Sequence, residues 1–398
     1  MEWYDFAVYG YFAAVLGRQF FPSDNPAVSL IAAFGAFAAG FLVRPLGGLV
    51  FGRIADLVGR KHALTLSVLA MALPTVLIGL LPTHQTIGIA APIALVVLRI
   101  IQGLAVGGEY PSSLVFLVEH APEDRRAFYA IWGQFGAVLG ILLGSGVGSL
   151  LAMFLDDAQI ASWGWRLPFL LGALVAATGY LIRSSIHAEK PPSDVKRPVY
   201  DSFGQHRMSV LRVVLLNVGF GAAFYTAFVY AVSYIKEIDR LPEGVALDLN
   251  TGSMALLLLI MPLAAWLSDR VGRKPLLVTG SALLAFGAVP FFHLIHSSDP
   301  ITIFLGELGF VVAFGILSGA MSAAIVELMP ASVRCTGLAI AYNAAMGCFG
   351  GTTPLIATWL ITATGNPIMP AYWVAATATV TLVTAIFLVR ETRFASLR

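Results

Sequence analysis

The stretch that decides the fold occurs twice, as GRIADLVGRK at residues 52–61 and as AWLSDRVGRK at residues 265–274. Each copy lies between two long apolar runs. One constant offset superimposes the copies and pairs Asp56, Gly59, Arg60 and Lys61 with Asp269, Gly272, Arg273 and Lys274. A charged phrase that is repeated at equivalent places of an apolar chain indicates duplicated halves, as in membrane proteins built from internal repeats.

The composition is that of a membrane protein. The chain of 398 residues is 58% hydrophobic and 12% charged, whereas a soluble domain is about 25% charged. Apolar runs of about 20 residues recur along it, and each can cross a bilayer as a helix. The net charge of +2 does not indicate a nucleic-acid partner. No metal, cofactor or catalytic motif is recognisable, so we expect no cofactor and no enzyme.

We predict twelve membrane-spanning helices. Their approximate ranges are 1–21, 28–51, 63–82, 89–118, 128–154, 166–183, 211–235, 248–267, 276–296, 301–326, 336–362 and 371–389. The one long polar interruption divides them six and six. The predicted architecture is therefore an all-α integral membrane fold. It has two pseudo-symmetric six-helix bundles, at residues 1–183 and 211–398, joined by a linker at 184–210.

Basic residues predict the orientation. Most of the 24 Lys and Arg residues fall in the connections at 52–62, 119–127, 183–212, 269–275 and 328–335 and in the tail from Arg390. The positive-inside rule then places both termini and the linker in the cytoplasm. The first span is anomalous, because continuous apolar sequence runs only from Phe6 to Leu16, too short to cross the core. We expect that a preceding segment is missing; alternatively, the span begins with its acids at membrane depth.

Several phrases of the chain match a known family. They are EWYDFAVYG (2–10), FLVRPLGGLVFGRIADLVGRK (41–61), LRIIQGLAVGGEY (98–110), EHAPEDRRAFYA (119–130), WGWRLPFLLG (163–172) and, in the second half, LSDRVGRK (267–274) and ELMPASVRCTGLAIAYN (327–343). In these phrases the chain resembles the major facilitator superfamily and, within it, the metabolite:proton symporters. The resemblance implies a bacterial inner-membrane carrier. Known members move citrate, 2-oxoglutarate, shikimate, proline or glycine betaine with protons. Leu57 and Ala265 depart from the family pattern, which usually has a basic residue and a glycine there.

The repeated phrase also suggests a gate. Gly59 permits a tight turn between two helices, and Asp56 can pair with Arg60 or accept hydrogen bonds from a neighbouring helix N-terminus. In the family, such a latch holds the cytoplasmic side closed. The candidate gating residues are Asp56, Gly59, Arg60, Lys61, Asp269 and Arg273. The alternative is that these charges only set the topology at the helix ends.

Arginines inside the predicted spans are candidates for substrate binding, since a charge at the bilayer centre costs about 2.5–3.5 kcal/mol. Arg99 has Gln102 one turn later on the same face. Its guanidinium group can form a fork with a substrate carboxylate or an ion pair with another helix. Arg44 precedes Pro45 and lies nearer the cytoplasmic end, where snorkelling is the alternative.

Acidic residues in the spans are candidates for proton coupling. Glu2 and Asp5 are one turn apart, and Tyr9, a substrate-binding candidate, follows on the same side. A buried carboxyl group beside an arginine can load and release a proton; alternatively, these two acids cap a helix at the surface. Glu109 is a third candidate, with a gate or an interhelical contact as its alternative. Glu307 ranks lower, because it lies nearer the end of its span.

The second half offers polar and aromatic candidates instead of charges. Tyr225, Tyr342 and Asn343 are predicted to line a mixed pocket, and Asn343 can donate to a carboxylate. Ordinary helix packing is the alternative for each. The ionisable groups are thus expected to concentrate in the first half.

The leading hypothesis is proton-coupled symport of a small organic acid, of di- or tricarboxylate type, by alternating access. Arginines at membrane depth favour an anion. A zwitterionic osmolyte such as proline or betaine is the alternative, because its cation can contact aromatic faces. An uncoupled facilitator and a non-transporting sensor of the same fold also stay open. The expected partners are a small-molecule substrate, protons and lipid, without nucleic acid, and we expect a monomer.

Overall fold

Helices make up most of the computed structural model, which describes residues 2–48, 50, 60–107, 109–174 and 206–393. The first half contains α1 (Glu2–Tyr11), α2 (Ala13–Phe20), α3 (Pro26–Leu42), α4 (Arg60–Leu80), α5 (Ala90–Val106), α6 (Glu109–Glu119), α7 (Arg126–Phe154) and a helical stretch at 166–174. The second half contains α8 (Arg207–Tyr225), α9 (Ala231–Glu237), α10 (Glu243–Val271), α11 (Arg273–Ile295), α12 (Pro300–Glu327), α13 (Arg334–Ala345), α14 (Thr353–Thr364) and α15 (Met369–Val383). Short helical turns lie at His84–Ile87, Asp157–Gln159, Ile160–Gly164 and Ala331–Val333.

These elements form twelve successive membrane segments. Within the described ranges, nine helices are long and apolar enough to cross a membrane, and the apolar part of α4, Leu66–Leu80, is shorter. Leu73, Phe154 and Phe286 are 61%, 80% and 79% exposed, as expected on a surface that lipid covers. The observed helices agree with the predicted spans within a few residues. For example, α8 begins at Arg207, a few residues before the predicted span 211–235.

Three membrane segments contain a turn of π-helix that the sequence pattern did not predict. These turns are Thr226–Tyr230 between α8 and α9, Met346–Gly350 between α13 and α14, and Thr384–Leu388 after α15. A π-turn locally changes the hydrogen-bonding of backbone carbonyl groups. In the first of them the carbonyl group of Phe228 accepts a hydrogen bond from the Tyr11 hydroxyl at 3.0 Å. This turn therefore lies at the contact between the two halves.

The glycines of the PLGG and GLAVGG phrases explain how α3 and α5 pack. A Cβ atom on Gly103 would overlap the carbonyl oxygen of Gly40, and one on Gly47 would overlap the carbonyl oxygen of Leu104. The two helices can approach this closely only because side chains are missing at the crossing. The crossing holds Arg99, on α5, beside the first segment.

The second copy of the repeated phrase forms the turn between α10 and α11. Gly272 has a φ of 109°, which favours glycine. The Glu391 carboxylate accepts from the backbone N–H groups of Arg273 at 2.8 Å and Lys274 at 3.0 Å and so caps α11. Burial raises the pKa of Glu391, but these and neighbouring backbone donors outweigh burial and hold that pKa below its usual range. In the first copy, Asp56 and Gly59 lie outside the described residues.

Candidate functional site

A buried ion pair lies among the first six helices. Asp5 on α1 is 1% exposed and Arg99 on α5 is 0% exposed, and Arg99 Nη1 donates to Asp5 Oδ2 at 2.9 Å. Gln102 Nε2 donates to the same carboxylate oxygen at 2.8 Å and to Thr75 Oγ1 of α4 at 2.9 Å. Gln102 Oε1 accepts from Arg99 Nη1 at 3.0 Å. Arg99 therefore pairs with another helix of the protein, and three membrane segments hold the pair in place.

Part of this ion pair makes no hydrogen bond within the described protein. Within the described part of the chain, Asp5 Oδ1 and Arg99 Nε and Nη2 have no hydrogen-bond partner. The ring of Tyr9 lies 3.8 Å from Arg99 Cζ, and its hydroxyl donates to the carbonyl group of Ala33 at 2.9 Å. Arg99 thus keeps donors that can bind an anion, and Asp5 keeps an oxygen that can take a proton.

Aromatic side chains form a second feature, at the contact between the halves. This aromatic wall comprises Phe34, Phe37 and Phe41 of α3 and Tyr225 and Tyr230 of the seventh segment. The facing rings have centroids 5.2–6.0 Å apart. Arg44 is 1% exposed, and its Cζ lies 3.6 Å from the centroid of the Phe41 ring. Arg44 and Tyr225, both predicted from the sequence, therefore meet at this wall.

The gating candidates of the second half cross to the first half. We call the end of the bundle at which α8 begins, at Arg207, the linker side and the opposite end the far side. On the linker side, Asp269 of α10 accepts the backbone N–H groups of Ala127 at 3.0 Å and Phe128 at 2.8 Å, at the start of α7. Arg273 Nη1 donates to Asp269 at 2.7 Å, and Arg273 Nη2 donates to Glu327 at 3.1 Å. The carboxylate thus joins an ion-pair network to the opposite helix N-terminus.

Other contacts reinforce this closure. Arg334 donates to Glu119 across the halves at 2.6 Å. The rings of Tyr110 and Tyr342 have centroids 4.9 Å apart. The glycine-rich end of α5 exposes a carbonyl group to α13. The amide of Asn343 donates to the backbone carbonyl groups of Gly107 and Ala339, and its role in substrate binding stays a prediction.

The far side is closed as well. Arg18 donates to Glu237 at 3.2 Å, and the hydroxyl groups of Ser145 and Thr251 are hydrogen-bonded at 2.7 Å. Both pairs join the first half to the second. Contacts between the halves therefore occur at both ends of the bundle, with the ion pair and the aromatic wall between them.

Some predicted site residues fall outside what the structure describes. Asp56 and Gly59 are outside the described ranges. Glu2, Arg60, Lys61 and Glu109 belong to helices whose backbone is described, but their side chains are not. The proton-coupling role of Glu2 and Glu109, and the gating role of the first copy of the phrase, stay predictions.

Sequence reasoning missed Thr75 and ranked Glu307 low. Thr75 supports the ion pair, and Glu307, ranked low, is 0% exposed and accepts a hydrogen bond from Ser253. The second half thus also holds a buried acid at membrane depth. An acid seven positions after the helix-starting Pro300 was a usable signal, whereas nothing marked Thr75 among the many membrane threonines.

This architecture is typical of a transporter: twelve membrane helices form a bundle, and a buried ionic site lies between two ends at which the halves meet. The sequence profile of the Major Facilitator Superfamily matches residues 7–352 and 244–397. The chain belongs to this superfamily.

Three curated relatives narrow the comparison. The glycine betaine/proline/ectoine/pipecolic acid transporter OusA of Dickeya dadantii is 36% identical, over 98% of this chain and 80% of the relative. The proline/betaine transporter of Escherichia coli K12 is 34% identical, over 97% of this chain and 80% of the relative. The shikimate transporter of Escherichia coli K12 is 36% identical, over 91% and 85%. The resemblance to metabolite:proton symporters is thus confirmed, and two of these three relatives are transporters of proline and betaine.

Solved structures confirm the fold. The partially occluded inward-open form of the xylose transporter XylE of Escherichia coli matches with a TM-score of 0.77 at 18% identity, over 100% of this chain and 96% of that chain. FucP in its outward conformation matches with a TM-score of 0.60 at 14% identity, over 98% and 100%. The predicted all-α fold with two six-helix bundles is confirmed, and the chain is a transporter and not an enzyme.

Proposed function

We propose that this transporter carries a zwitterionic osmolyte of the proline/betaine class together with protons. The observation that carries the proposal is the buried Asp5–Arg99 pair with free atoms on both partners. The names of two of the relatives described above point to the same substrate class. This reverses the preference for di- or tricarboxylates, which no relative described above supports.

The ion pair provides a way to couple protons to substrate. While Asp5 is ionised, it holds Arg99 at 2.9 Å. A proton on Asp5 removes that charge and frees the guanidinium group for a substrate carboxylate, which it can bind through two parallel hydrogen bonds. When the proton leaves, Asp5 competes again for Arg99 and the substrate is released. Proton and substrate therefore bind together.

The aromatic wall suits the other end of a zwitterion. A quaternary ammonium group binds favourably over aromatic faces, and the facing rings come from both halves. A substrate with its carboxylate near Arg99 or Arg44 and its cation at the wall would contact both halves. Substrate binding would then favour closure of the halves around it.

A second candidate substrate is an organic anion of the monocarboxylate type. It is favoured by the relative named as a shikimate transporter, which is as similar as the first osmolyte transporter. Such an anion would use Arg99 and Arg44 but gain little from the aromatic wall. The two candidates therefore differ in their dependence on Tyr225 and Phe41.

The proposal also includes the moving units, the oligomeric state, the orientation in the membrane and the latch. The units that move are the bundles at 1–183 and 211–398, joined through 184–210, and the protein acts as a monomer in the bacterial inner membrane. The linker side is cytoplasmic, in keeping with its basic loops. The network of Asp269 and Arg273 acts as the latch of this side.

Uptake by proteoliposomes tests the proposal. The purified protein would be reconstituted and given labelled glycine betaine, proline, shikimate or citrate, with and without an inward proton gradient. We expect betaine or proline to accumulate only with the gradient. Asp5→Asn should lower gradient-driven uptake by about 100-fold, within the range that a positioned proton carrier contributes. Asp24→Asn, an exposed far-side acid, is the matched control and should keep full uptake.

Four outcomes would contradict the proposal. Accumulation of shikimate alone would select the organic anion. Equilibration of betaine that ignores the gradient would indicate a facilitator, and substrate binding without any movement would indicate a sensor. Gradient-driven uptake that survives Asp5→Asn would remove Asp5 from proton coupling.

A further inference from the structure

Glu307 is a buried acid of the second half that the proposed transport site does not use. It lies on α12, is 0% exposed, and accepts one side-chain hydrogen bond, from the Ser253 hydroxyl of α10. Within the part of the chain that the structure describes, its other oxygen, Oε1, has no hydrogen-bond partner. Among the described residues, no arginine, lysine or histidine forms an ion pair with it. Such a carboxyl group is stable in a membrane protein either as the neutral acid or with a cation beside it.

The Glu307 carboxyl group belongs to a cluster that spans the contact between the halves. Asn250 lies one turn before Ser253 on α10, on the same face. Its amide donates to Tyr11 Oη at 2.9 Å and to Ser145 Oγ at 3.1 Å, and both acceptors belong to the first half. Asn250 is 0% exposed, and its Oδ1 has no partner within the described chain. Glu307 Oε1 and Asn250 Oδ1 are therefore two buried acceptor oxygens without a partner among the described residues. Both belong to the second half, beside the contacts that close the far side.

The charged and titratable groups around Glu307 do not supply the missing cation. Tyr11 interacts with it electrostatically. Asp248 on α10 and His293 on α11 are exposed, and the far-side half of α7, residues 141–154, contains no ionisable residue. The seventh segment contributes Tyr230 and Tyr234, which are buried and uncharged donors. None of these groups can neutralise a carboxylate in the closed form.

We propose that Glu307 is a second proton-binding site and that its protonation is linked to closure of the far side. In the closed form, Tyr11 and Ser145 cover the face of α10 that holds Asn250 and Ser253. Water can solvate an ionised Glu307 only when these contacts open. Closure therefore requires the neutral acid, and opening permits the proton to leave. The site couples the proton to the gate, whereas Asp5 couples a proton to the substrate.

Distance measurements between spin labels would test this linkage without substrate. Cysteines would replace Asp157 and Ser298, which are exposed on the far side of opposite halves, and Cys335 and Cys348 would be replaced by serine. The background variant is Asp5→Asn, so that the pH response of Asp5 is absent. We expect the ratio of the closed to the open far side to rise as pH falls, by up to tenfold per pH unit, the limit for one proton. Glu307→Gln should make the ratio independent of pH.

Two controls separate protonation from packing. Tyr11→Phe removes hydrogen bonds of the closure but leaves Glu307 in place, so it should lower the closed fraction at every pH and keep the pH response. The infrared band of the protonated carboxylic acid reports the proton directly. It should persist in Asp5→Asn and lose its Glu307 component in Asp5→Asn/Glu307→Gln.

The proposal is overturned if the pH response is unchanged in Glu307→Gln or if no acid band belongs to Glu307. It is also overturned if sodium at constant pH changes the distance in the parent but not in Glu307→Gln, since the ligand would then be a metal cation. Failure of osmolyte uptake would leave all of these measurements unaffected, because they need neither substrate nor Asp5.

Discussion

Asp5 of the first half and Glu307 of the second are both buried acids at membrane depth, yet their surroundings are opposite. Asp5 accepts from Arg99 and from Gln102 through one oxygen. Glu307 accepts from the uncharged Ser253 and, within the described residues, has no ionic partner. The two acids therefore face different physical demands: one is balanced by a positive charge, whereas the other needs a proton or a cation from outside the protein.

This difference indicates a division of labour between the halves. An arginine that is paired with a carboxylate of the protein can leave that carboxylate and bind a substrate anion instead. A carboxyl group without a counter-charge permits no such exchange, and it responds instead to water and protons that arrive when a contact opens. The same residue type can thus serve substrate binding in one half and gating in the other. The following predictions test this comparison, from the largest expected effect to the smallest.

Arg99→Gln should cause the largest loss. It leaves Asp5 buried without a cation, which lowers the free energy of unfolding by about 3–5 kcal/mol, and it removes the proposed substrate fork. Unfolding in detergent and uptake by proteoliposomes would measure both effects. In the control, Asp5→Asn/Arg99→Gln removes both charges and should recover most of the stability but no gradient-driven uptake. Equal stability of the single and double variants would show that the pair is not coupled.

Asp269→Asn should have an intermediate effect, because the partners of this carboxylate come from both halves. The amide loses the negative charge that Arg273 and the N-terminus of α7 stabilise. We expect the closed linker side to lose about 1.5–3 kcal/mol relative to the open form, the range for hydrogen bonds to charged groups. Distances between labels on the linker-side loops would report the change. A closed fraction equal to that of the parent would exclude Asp269 as a latch.

Glu307→Gln should behave in the opposite way to Arg99→Gln. The amide can still accept from Ser253, and it avoids the burial of an acid without a counter-charge. We expect the free energy of unfolding to rise by about 1 kcal/mol, measured under the same conditions as for Arg99→Gln. A loss as large as that of Arg99→Gln would show that Glu307 holds a counter-charge, and the contrast between the halves would disappear.

Asp239→Asn should give the smallest effect, and only its pH dependence is diagnostic. Asp239 lies just beyond α9 and is hydrogen-bonded to His296 at 2.6 Å. Burial raises the pKa of Asp239 from 3.8 to about 6, although His296 opposes this shift. The folded protein therefore binds this proton more tightly than the unfolded chain. The contribution of this proton to the free energy of unfolding is complete below about pH 4 and is lost as pH rises through about 6.

As pH rises from 4 to 6, the parent loses this stabilisation and Asp239→Asn does not. The melting temperature of the variant minus that of the parent should therefore increase over this range, by an amount on the order of 1 °C. His293 is an exposed histidine of α11, and His293→Gln is the control. Its melting temperature should differ from that of the parent by the same amount at pH 4 and at pH 6. A parent and a variant with parallel pH profiles would refute the raised pKa.

Local patterns predicted the parts of the site that depend on one helix. The spacing of Arg99 and Gln102 placed both side chains on one face, and the structure joins them at 3.0 Å. The repeated phrase predicts, at Asp56, a carboxylate that pairs with an arginine or accepts from a helix N-terminus. In the second copy, Asp269 makes both contacts. In contrast, the sequence did not indicate that Asn343 contacts the end of α5, where its amide donates to the carbonyl group of Gly107.

The sequence by itself determined that this chain crosses a membrane about twelve times, that its halves are related and that charged groups lie at membrane depth. Hydrophobic length, repeated phrases and the high cost of a buried charge are properties of a single segment, so they can be read without coordinates. Only the tertiary structure decided which charges are paired. Asp5 meets Arg99 because α1 and α5 pack together. Among the described residues Glu307 forms no ion pair, because its neighbours on α10 and α7 carry only uncharged groups there. Pairing depends on segments far apart in sequence. For this reason the first half holds an ion pair, whereas the second holds a buried acid that forms no ion pair within the described residues.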